Sequence, residues 1–154
     1  MNPNIKIHFS IISFNVWRQV SKLYPYDHIV IGYRTPKITY HPILFSPYCK
    51  GHLELWVHDY GVRDSGPGLI IFSKNHAKKI LELVEREKNN VHHIICQCDA
   101  GISRSSATAA AISKILYNDD SFVFDSHRYV PNSHIYQTIL KTNFESEIPL
   151  LNAL

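Results

Sequence analysis

The segment VHHIICQCDAGISRSSATAAAISKILY, residues 91–117, decides the fold of this chain of 154 residues. It begins with an apolar run at 91–96 that has the length of a buried strand. It ends with an alanine-rich stretch at 103–117 whose apolar positions recur at helical spacing. A short loop containing one glycine joins the two. Because a strand followed by a helix is the repeating unit of α/β proteins, the segment predicts that class of fold.

Elements of the same two kinds flank this segment. Strand-length apolar runs occupy residues 5–11, 28–33 and 53–57, and helical patterns occupy residues 14–23, 75–88 and 133–141. Ser13 and Ser73 stand where the N-caps of the first two helices are expected. Strands that alternate with helices predict a central, mostly parallel sheet with helices on both faces. Function is then expected at the carboxyl ends of the strands, and the least regular segments are 35–51 and 61–68.

The composition is that of one globular domain. Of the residues, 45% are hydrophobic and 19% are charged, which excludes disorder as the main state. We therefore expect a single domain over residues 1–154, with loose termini at 1–4 and 145–154. The net charge of +3, without any basic run, tolerates an anionic ligand but indicates no nucleic-acid partner.

Cysteine usage and hydropathy bear on location. Three cysteines are too few for the disulfide framework of a small secreted domain, so we expect reduced thiols and a cytoplasmic protein. The early apolar stretch at 9–17 is short and interrupted by polar residues, so no membrane anchor or export signal is expected. A zinc site at His92, His93, Cys96 and Cys98 is disfavoured, because alternation along a strand separates His93 from His92 and Cys96.

The loop at residues 98–105 has the properties of an anion-binding site. The first backbone N–H groups of a helix lack intrahelical acceptors, and the helix dipole adds partial positive charge there. Arg104, at the helix start, can donate two parallel hydrogen bonds to a phosphate. Cys98, at the loop entrance, lies in the same positive field, which favours the nucleophilic thiolate form. The loop is therefore predicted to bind phosphate beside a nucleophile.

The pattern in this loop is specific. A cysteine followed six residues later by an arginine occurs by chance in about one such chain in eight. The added glycine and serine lower that chance to about four in ten thousand. The run CDAGISRS resembles the signature of the cysteine-dependent protein tyrosine phosphatases, which is Cys, five residues, Arg, then Ser or Thr. The chain looks most similar to the compact dual-specificity branch and to small microbial tyrosine phosphatases, and residues 53–132 resemble the family more loosely.

This resemblance implies a protein-tyrosine-phosphatase-like fold and a role for each residue of the signature. It implies a phosphomonoester hydrolase that acts on phosphotyrosine, or with dual specificity also on phosphoserine and phosphothreonine, in proteins or peptides. Cys98 would form a phosphocysteine, Arg104 would clamp the transition state, and Ser105 would stabilise the departing thiolate. The substrate phosphate would be held by the loop residues Asp99, Ala100, Gly101, Ile102, Ser103 and Arg104. The resemblance implies no metal and no cofactor.

The chain departs from the family pattern at two positions. The family usually has histidine directly before the cysteine, where this chain has Gln97. Asp99 adds a carboxylate at the first position of the loop, and the loop contains no lysine. Because like charges repel, we expect poor binding of highly anionic substrates such as polyphosphoinositides.

Two aspartates are candidates for the general acid that protonates the leaving group. The acid is expected on a neighbouring loop, roughly thirty to forty residues before the cysteine. Asp59 ends the strand-like run at 53–58, which resembles the family's strand before its acid loop, and it is the first choice. Asp64 is the rival, because it lies in the glycine-rich segment 61–68, which could close over a site.

Other interpretations stay open. A phosphate-binding module without catalysis would carry a similar loop. An RNA 5′-phosphatase is a further alternative, although basic patches interleaved with aromatic residues are not evident. Cys96 is either a resolving thiol that protects Cys98 from oxidation or a small buried hydrophobic residue.

Overall fold

The structure, a computed structural model, describes residues 6–61 and 66–146. Within these ranges the strands are β1 (His8–Ser13), β2 (His28–Arg34), β3 (Cys49–Trp56) and β4 (His93–Cys98). The helices are α1 (Phe14–Val20), α2 (Lys74–Glu87), α3 (Arg104–Tyr117), α4 (Ser121–Phe124) and α5 (Ser133–Glu145). A 3-10 turn, Ser21–Leu23, continues α1.

The four strands form one sheet in the order β1-β4-β2-β3, and each neighbouring pair is parallel. The strand that leads into the loop at 98–105 is therefore central, and its Cys96 is in register with Ile11 of β1 and Ile31 of β2. In a parallel sheet all carboxyl ends meet at one edge. The predicted α/β fold with a mostly parallel sheet is confirmed.

Helices cover both faces of the sheet, as predicted. On one face, α2, α3 and α5 pack over Ile29, Ile31 and Ile94 in the larger core. On the other face, the fully buried Trp17 of α1 packs against Val30 and Ile95. The alternation of residues along β2 and β4 thus supplies both cores, which is why these strands read as continuous apolar runs. No helix in the described ranges is long and apolar enough to cross a membrane.

Small side chains allow α3 to lie deep in its layer. Ala107, Ala109, Ala110 and Ala111 are all fully buried. Because the alanine side chain is small, the backbone of α3 can approach both the sheet and α5. Alanine also has the highest helix propensity, which favours the helix itself. The position of α3 fixes its first residue, Arg104, at the carboxyl edge of the sheet.

Several boundaries differ from the sequence predictions; strand β4, for example, runs over His93–Cys98 instead of 91–96. Strand β3 begins at Cys49, inside the segment 35–51 that was expected to be irregular. Its first half alternates exposed Lys50 and His52 with half-buried Cys49 and Gly51, so it lacks the apolar run that marked the other strands. Strand β1 begins at His8 and continues to Ser13 instead of ending at residue 11.

A further difference concerns the last helix. Helix α5 runs to Glu145, beyond the predicted end at residue 141. Glu145 forms an ion pair with Lys74 of α2 at 3.2 Å. The four-residue helix α4 was not predicted, because it is too short to show a helical period. That residues 1–154 form a single domain stays a prediction.

Candidate active site

The carboxyl edge of the sheet brings the signature residues together. Cys98 is the last residue of β4, and Arg104 is the first residue of α3. Thr35 directly follows β2, and Asp59 lies three residues after the end of β3. Function was predicted at this edge, and the hydrogen bonds described below join Cys98 to Ser105, Arg104 to Thr35, and Asp59 to Ser103.

Gly101 is required by the shape of the loop. Its φ of +70° is in the left-handed region, which side chains other than glycine rarely adopt. A Cβ there would also lie 2.8 Å from the backbone of Ile12 and of Ser13. On its other side, the loop accepts hydrogen bonds at the carbonyls of Ile102 and Ser103 from the amides of Val130 and Asn132. The loop is thus tied to two neighbouring segments.

The first turn of α3 can bind an anion. The N-cap residue Ser103 makes no capping hydrogen bond with its side chain. Its hydroxyl donates instead to Oδ1 of Asp59 at 2.8 Å. The opening amides of a helix have no intrahelical acceptor, so without a side-chain cap they can donate to a ligand.

Cys98 and Ser105 form a buried pair at the base of the loop. The Sγ of Cys98 lies 3.0 Å from the Oγ of Ser105, and both side chains are at most 2% exposed. A hydroxyl at this distance can donate to a thiolate. Cys96 is fully buried, and burial together with the neighbouring Cys98 raises the pKa of its thiol far above the usual value. This burial favours the interpretation of Cys96 as a small hydrophobic residue.

The guanidinium of Arg104 is held by three acceptors. Its Nη1 donates to the Oγ of Thr35 at 3.1 Å and to the carbonyl of Val57 at 2.8 Å. Its Nη2 donates to the Oδ2 of Asp99 at 3.0 Å, which makes an ion pair. The Arg104 side chain is 6% exposed, so this geometry is enclosed by protein.

Asp99 receives two more hydrogen bonds from the segment after β2. The Oγ of Thr35 donates to its Oδ2 at 2.6 Å, and the hydroxyl of Tyr40 donates to its Oδ1 at 2.7 Å. Partial burial opposes ionisation, but the hydrogen bonds from Thr35 and Tyr40 and the charge of Arg104 outweigh it and lower the pKa of Asp99. Asp99 is therefore a carboxylate at neutral pH, and it is a poor candidate for a general acid.

Asp59 lies against the loop, at the mouth of the site. Its Oδ1 accepts hydrogen bonds from the Oγ of Ser103 and from the Nδ2 of Asn132, at 2.8 and 2.9 Å, and its side chain is exposed. The rival candidate, Asp64, lies in residues 62–65, outside the described residues. The choice between the two aspartates stays a prediction.

Gln97 points to the opposite face of the sheet from Cys98 and is buried there. Its Oε1 accepts a hydrogen bond from Nη1 of Arg34, while its Nε2 has no partner among the described residues. The Arg34 guanidinium, itself buried, lies over the rings of Phe14 and Tyr40. A buried arginine therefore fixes the side chain that stands where the family has histidine.

Sequence analysis missed Thr35, Tyr40 and Asn132. Thr35 follows a strand at the edge where function was expected, so its position was a usable signal. Asn132 was considered only as the last residue of the segment 53–132, which resembles the family loosely, and Tyr40 lies in the irregular segment 35–51. In the part of the chain that the structure describes, no group of three or more histidine, cysteine, aspartate or glutamate residues could hold a metal ion.

Comparison with known proteins gives matches only in three dimensions. No family model and no curated protein sequence matches the chain. Human DUSP28 superposes with a TM-score of 0.58 at 13% identity, over 90% of this chain and 92% of that chain. Tk-PTP in its active form gives 0.58 at 14% identity, over 95% and 100% of the two chains. DUSP15 gives 0.57 at 16% identity, over 97% and 91%.

Identities this low are informative about the fold alone. The superpositions cover nearly all of each chain, so the likeness extends well beyond the loop at 98–105. The chain therefore has the fold of the cysteine-dependent protein tyrosine phosphatases, in the compact form of their dual-specificity branch.

Proposed function

We propose that this protein is a cysteine-dependent phosphatase that hydrolyses phosphotyrosine, with dual specificity for phosphoserine and phosphothreonine, through a phosphocysteine intermediate. The observation that carries the proposal is the Cys98–Ser105 pair, 3.0 Å apart, beneath the first turn of α3. The enclosed guanidinium of Arg104 belongs to that same turn. The loop thus contains a nucleophile (Cys98), a hydroxyl that can donate a hydrogen bond to its thiolate (Ser105) and a guanidinium that can bind phosphate oxygens (Arg104).

In the first step, the thiolate of Cys98 attacks phosphorus. An S–P bond forms, and the P–O bond to the leaving group breaks with its electron pair going to oxygen. Asp59, in its protonated form, gives that oxygen a proton, for which its position beside Ser103 is suited. Arg104 and the first amides of α3 bind the remaining phosphate oxygens, whose charge they stabilise in the transition state.

In the second step, water attacks the phosphocysteine. Asp59, now a carboxylate, takes a proton from the water as the new P–O bond forms. The S–P bond breaks, and its electron pair returns to Sγ of Cys98. Ser105 donates a hydrogen bond to the thiolate as it departs, from 3.0 Å away. Inorganic phosphate is released and Asp59 is protonated for the next cycle.

Apolar residues around the loop support phosphotyrosine as the substrate. Tyr60, Ile102 and Val130 are 45%, 42% and 71% exposed. The amide of Val130 donates to Ile102, and the carbonyl of Tyr60 accepts from Asn132, so the three surround the mouth of the site. Exposed apolar side chains beside a phosphate site suit the aromatic ring that carries the phosphate.

The test is hydrolysis of para-nitrophenyl phosphate by the full chain and by its Cys98→Ser variant, with tungstate binding measured in both. We expect turnover by the wild type, none by the variant, and binding of tungstate by both, because the amides and Arg104 remain. Equal turnover by Cys98→Ser would contradict the assigned nucleophile. Tungstate binding without turnover by the wild type would favour a phosphate-binding module.

A panel of substrates tests the class of phosphomonoester. Peptides carrying phosphotyrosine, phosphoserine or phosphothreonine are compared with RNA carrying a 5′-phosphate. We expect the phosphotyrosine peptide to have the highest kcat/KM, because its ring contacts the apolar mouth. Preference for the RNA would support the 5′-phosphatase alternative instead.

A further inference from the structure

Arg104 uses three of its five N–H groups to bind the protein. Both N–H groups of Nη1 have acceptors, the hydroxyl of Thr35 and the carbonyl of Val57. One N–H of Nη2 donates to Asp99. The second N–H of Nη2 and the N–H of Nε have no acceptor among the described residues. Since Thr35 Oγ and Asp99 Oδ2 are only 2.6 Å apart, they lie side by side along the Nη1–Nη2 edge of the guanidinium.

The two unused donors lie on one edge of the guanidinium. The N–H of Nε and the outer N–H of Nη2 are parallel, which is the arrangement that binds two oxygens of a phosphate at once. The acceptors supplied by the protein thus occupy the other positions of Arg104 and leave a bidentate edge available. An arginine without these acceptors could rotate about its side-chain bonds and present any of its edges.

Building on the proposed function, we propose that Asp99 is a positioning residue for Arg104, and that Thr35 and Tyr40 hold Asp99 in place for this task. The carboxylate fixes the guanidinium so that its free edge is presented to the phosphate. Thr35 contacts both Asp99 and Arg104, at 2.6 and 3.1 Å. Tyr40 donates to the second oxygen of Asp99 and accepts from the amide of Thr35, both at 2.7 Å.

A carboxylate in a phosphate-binding loop has two effects of opposite sign. It repels the anionic substrate, which would weaken binding. It also orients the group that stabilises the transition state, which would raise the rate. The lowered pKa of Asp99 keeps it ionised, so both effects operate at neutral pH. The gain in rate from orienting Arg104 outweighs the repulsion of the anionic substrate. Removing the charge of Asp99 should therefore lower the rate.

The experiment removes the carboxylate and each of its supports in the full chain, through Asp99→Asn, Thr35→Val and Tyr40→Phe. For Asp99→Asn we expect kcat with para-nitrophenyl phosphate to fall about ten- to a hundredfold, with a smaller change in KM. Affinity for vanadate, which adopts the five-coordinate geometry of the transition state, should fall more than affinity for inorganic phosphate. Thr35→Val and Tyr40→Phe should show the same pattern more weakly.

Two control variants carry the same kinds of substitution at positions away from Arg104. Asp27→Asn removes a surface carboxylate that pairs with Lys50 at 3.5 Å, at the opposite edge of the sheet. Tyr48→Phe removes the hydroxyl of an exposed tyrosine in the same long segment as Tyr40. Both controls should keep wild-type kcat and wild-type affinity for vanadate, and the melting temperature of each variant is measured alongside.

The outcomes separate this proposal from the proposed function. Turnover by Asp99→Asn at or above the wild-type rate, with tighter phosphate binding, would mean that repulsion dominates and would overturn the positioning role alone. A second outcome is that the wild type binds oxyanions without turning substrate over. If Asp99→Asn then weakens that binding, the positioning role of Asp99 is supported although the enzyme assignment fails. If Asp99→Asn does not fold, Tyr40→Phe decides, since it removes only a hydroxyl, with its hydrogen bonds to Asp99 and to the amide of Thr35, and keeps the ring. A wild type without oxyanion binding would overturn both.

Discussion

The Nδ2 of Asn132 donates a hydrogen bond to the Oδ1 of Asp59 at 2.9 Å, across 73 residues of sequence. The same side chain caps α5, because its Oδ1 accepts from the amide of Ile135 at 3.0 Å. The backbone amide of Asn132 donates to the carbonyl of Ser103. One residue thus connects the candidate general acid, the loop at 98–105 and the start of a helix.

Asp59→Asn should slow the reaction in a way that depends on the leaving group. A general acid matters only when the departing oxygen is basic, so phenyl phosphate should lose about 10² to 10⁴ in kcat while a substrate with an acidic phenol loses much less. Kinetics with a series of aryl phosphates measures this. The same dependence in Asp64→Asn, and not in Asp59→Asn, would assign the acid to the rival aspartate.

Two substitutions at Asn132 separate its contacts. Asn132→Ser keeps a cap for α5 but removes the donor to Asp59, so we expect unchanged stability and about a tenfold lower kcat. Asn132→Ala removes both, and the lost cap should lower the free energy of unfolding by a further ~1 kcal/mol. Urea unfolding and steady-state kinetics check the pair. Wild-type kcat in Asn132→Ser would mean that Asp59 does not need this contact.

Gly101→Ala should disrupt the loop. The residue has a φ of +70°, and its new Cβ would meet backbone atoms at 2.8 Å. We therefore expect the free energy of unfolding to fall by roughly 1 to 3 kcal/mol. We also expect the affinity for phosphate to fall. Gly68→Ala is the matched control, because its φ of +79° is similar but the nearest atom is the flexible end of Lys37 at 3.5 Å. Calorimetric titration with phosphate should show an effect only at Gly101, and equal losses in both variants would contradict the role given to close packing.

A row of histidines should make the fold sensitive to acid. His8, His28 and His93 are in register at the start of three strands. Burial lowers the pKa of His28, and this effect outweighs the hydrogen bond to the carbonyl of Tyr26 and the charge of Asp27, which both raise that pKa. Burial and the neighbouring histidines lower the pKa of His93. The unfolded chain therefore binds more protons below about pH 6.5, and the free energy of unfolding should fall as pH decreases through that value.

Urea unfolding between about pH 7.5 and about pH 5.5 tests this stability profile. His28→Gln should flatten the dependence on pH, because it removes the titrating ring that is fully buried. His127→Gln, at an exposed position, should leave the dependence as it is in the wild type. Stability that is constant, or that rises on acidification, would contradict the assignment.

The predictable part of the molecule is local. The strand, loop and helix at 91–117 carry their signals in consecutive residues, so Cys98, Arg104 and Ser105 could be named as candidate site residues before any geometry was known. The parallel sheet followed from the alternation of elements along the chain. Strand β3 was only half predicted, because at the sheet edge its polar residues can face solvent.

The unpredicted part depends on distant contacts. Asp99 was interpreted as a source of repulsion, because its neighbours in sequence say nothing of Thr35 and Tyr40, which are 64 and 59 residues away. Likewise Gln97 looked like a missing histidine, and its partner Arg34 lies on another strand. Such pairings arise from strand order and register, which a single sequence does not contain.

The central claim is that Cys98 carries the phosphoryl group, and acid quenching with mass spectrometry tests it most directly. In Asp59→Asn, an aryl phosphate with an acidic phenol can still transfer its phosphate, but hydrolysis of the intermediate loses its base. The account predicts that the peptide containing Cys98 gains the mass of one phosphoryl group, and that the Cys98→Ser variant gains none. The claim would be contradicted if the substrate is turned over while the phosphoryl group is found on another residue. It would also be contradicted if Asp59→Asn turns the substrate over without any covalent intermediate.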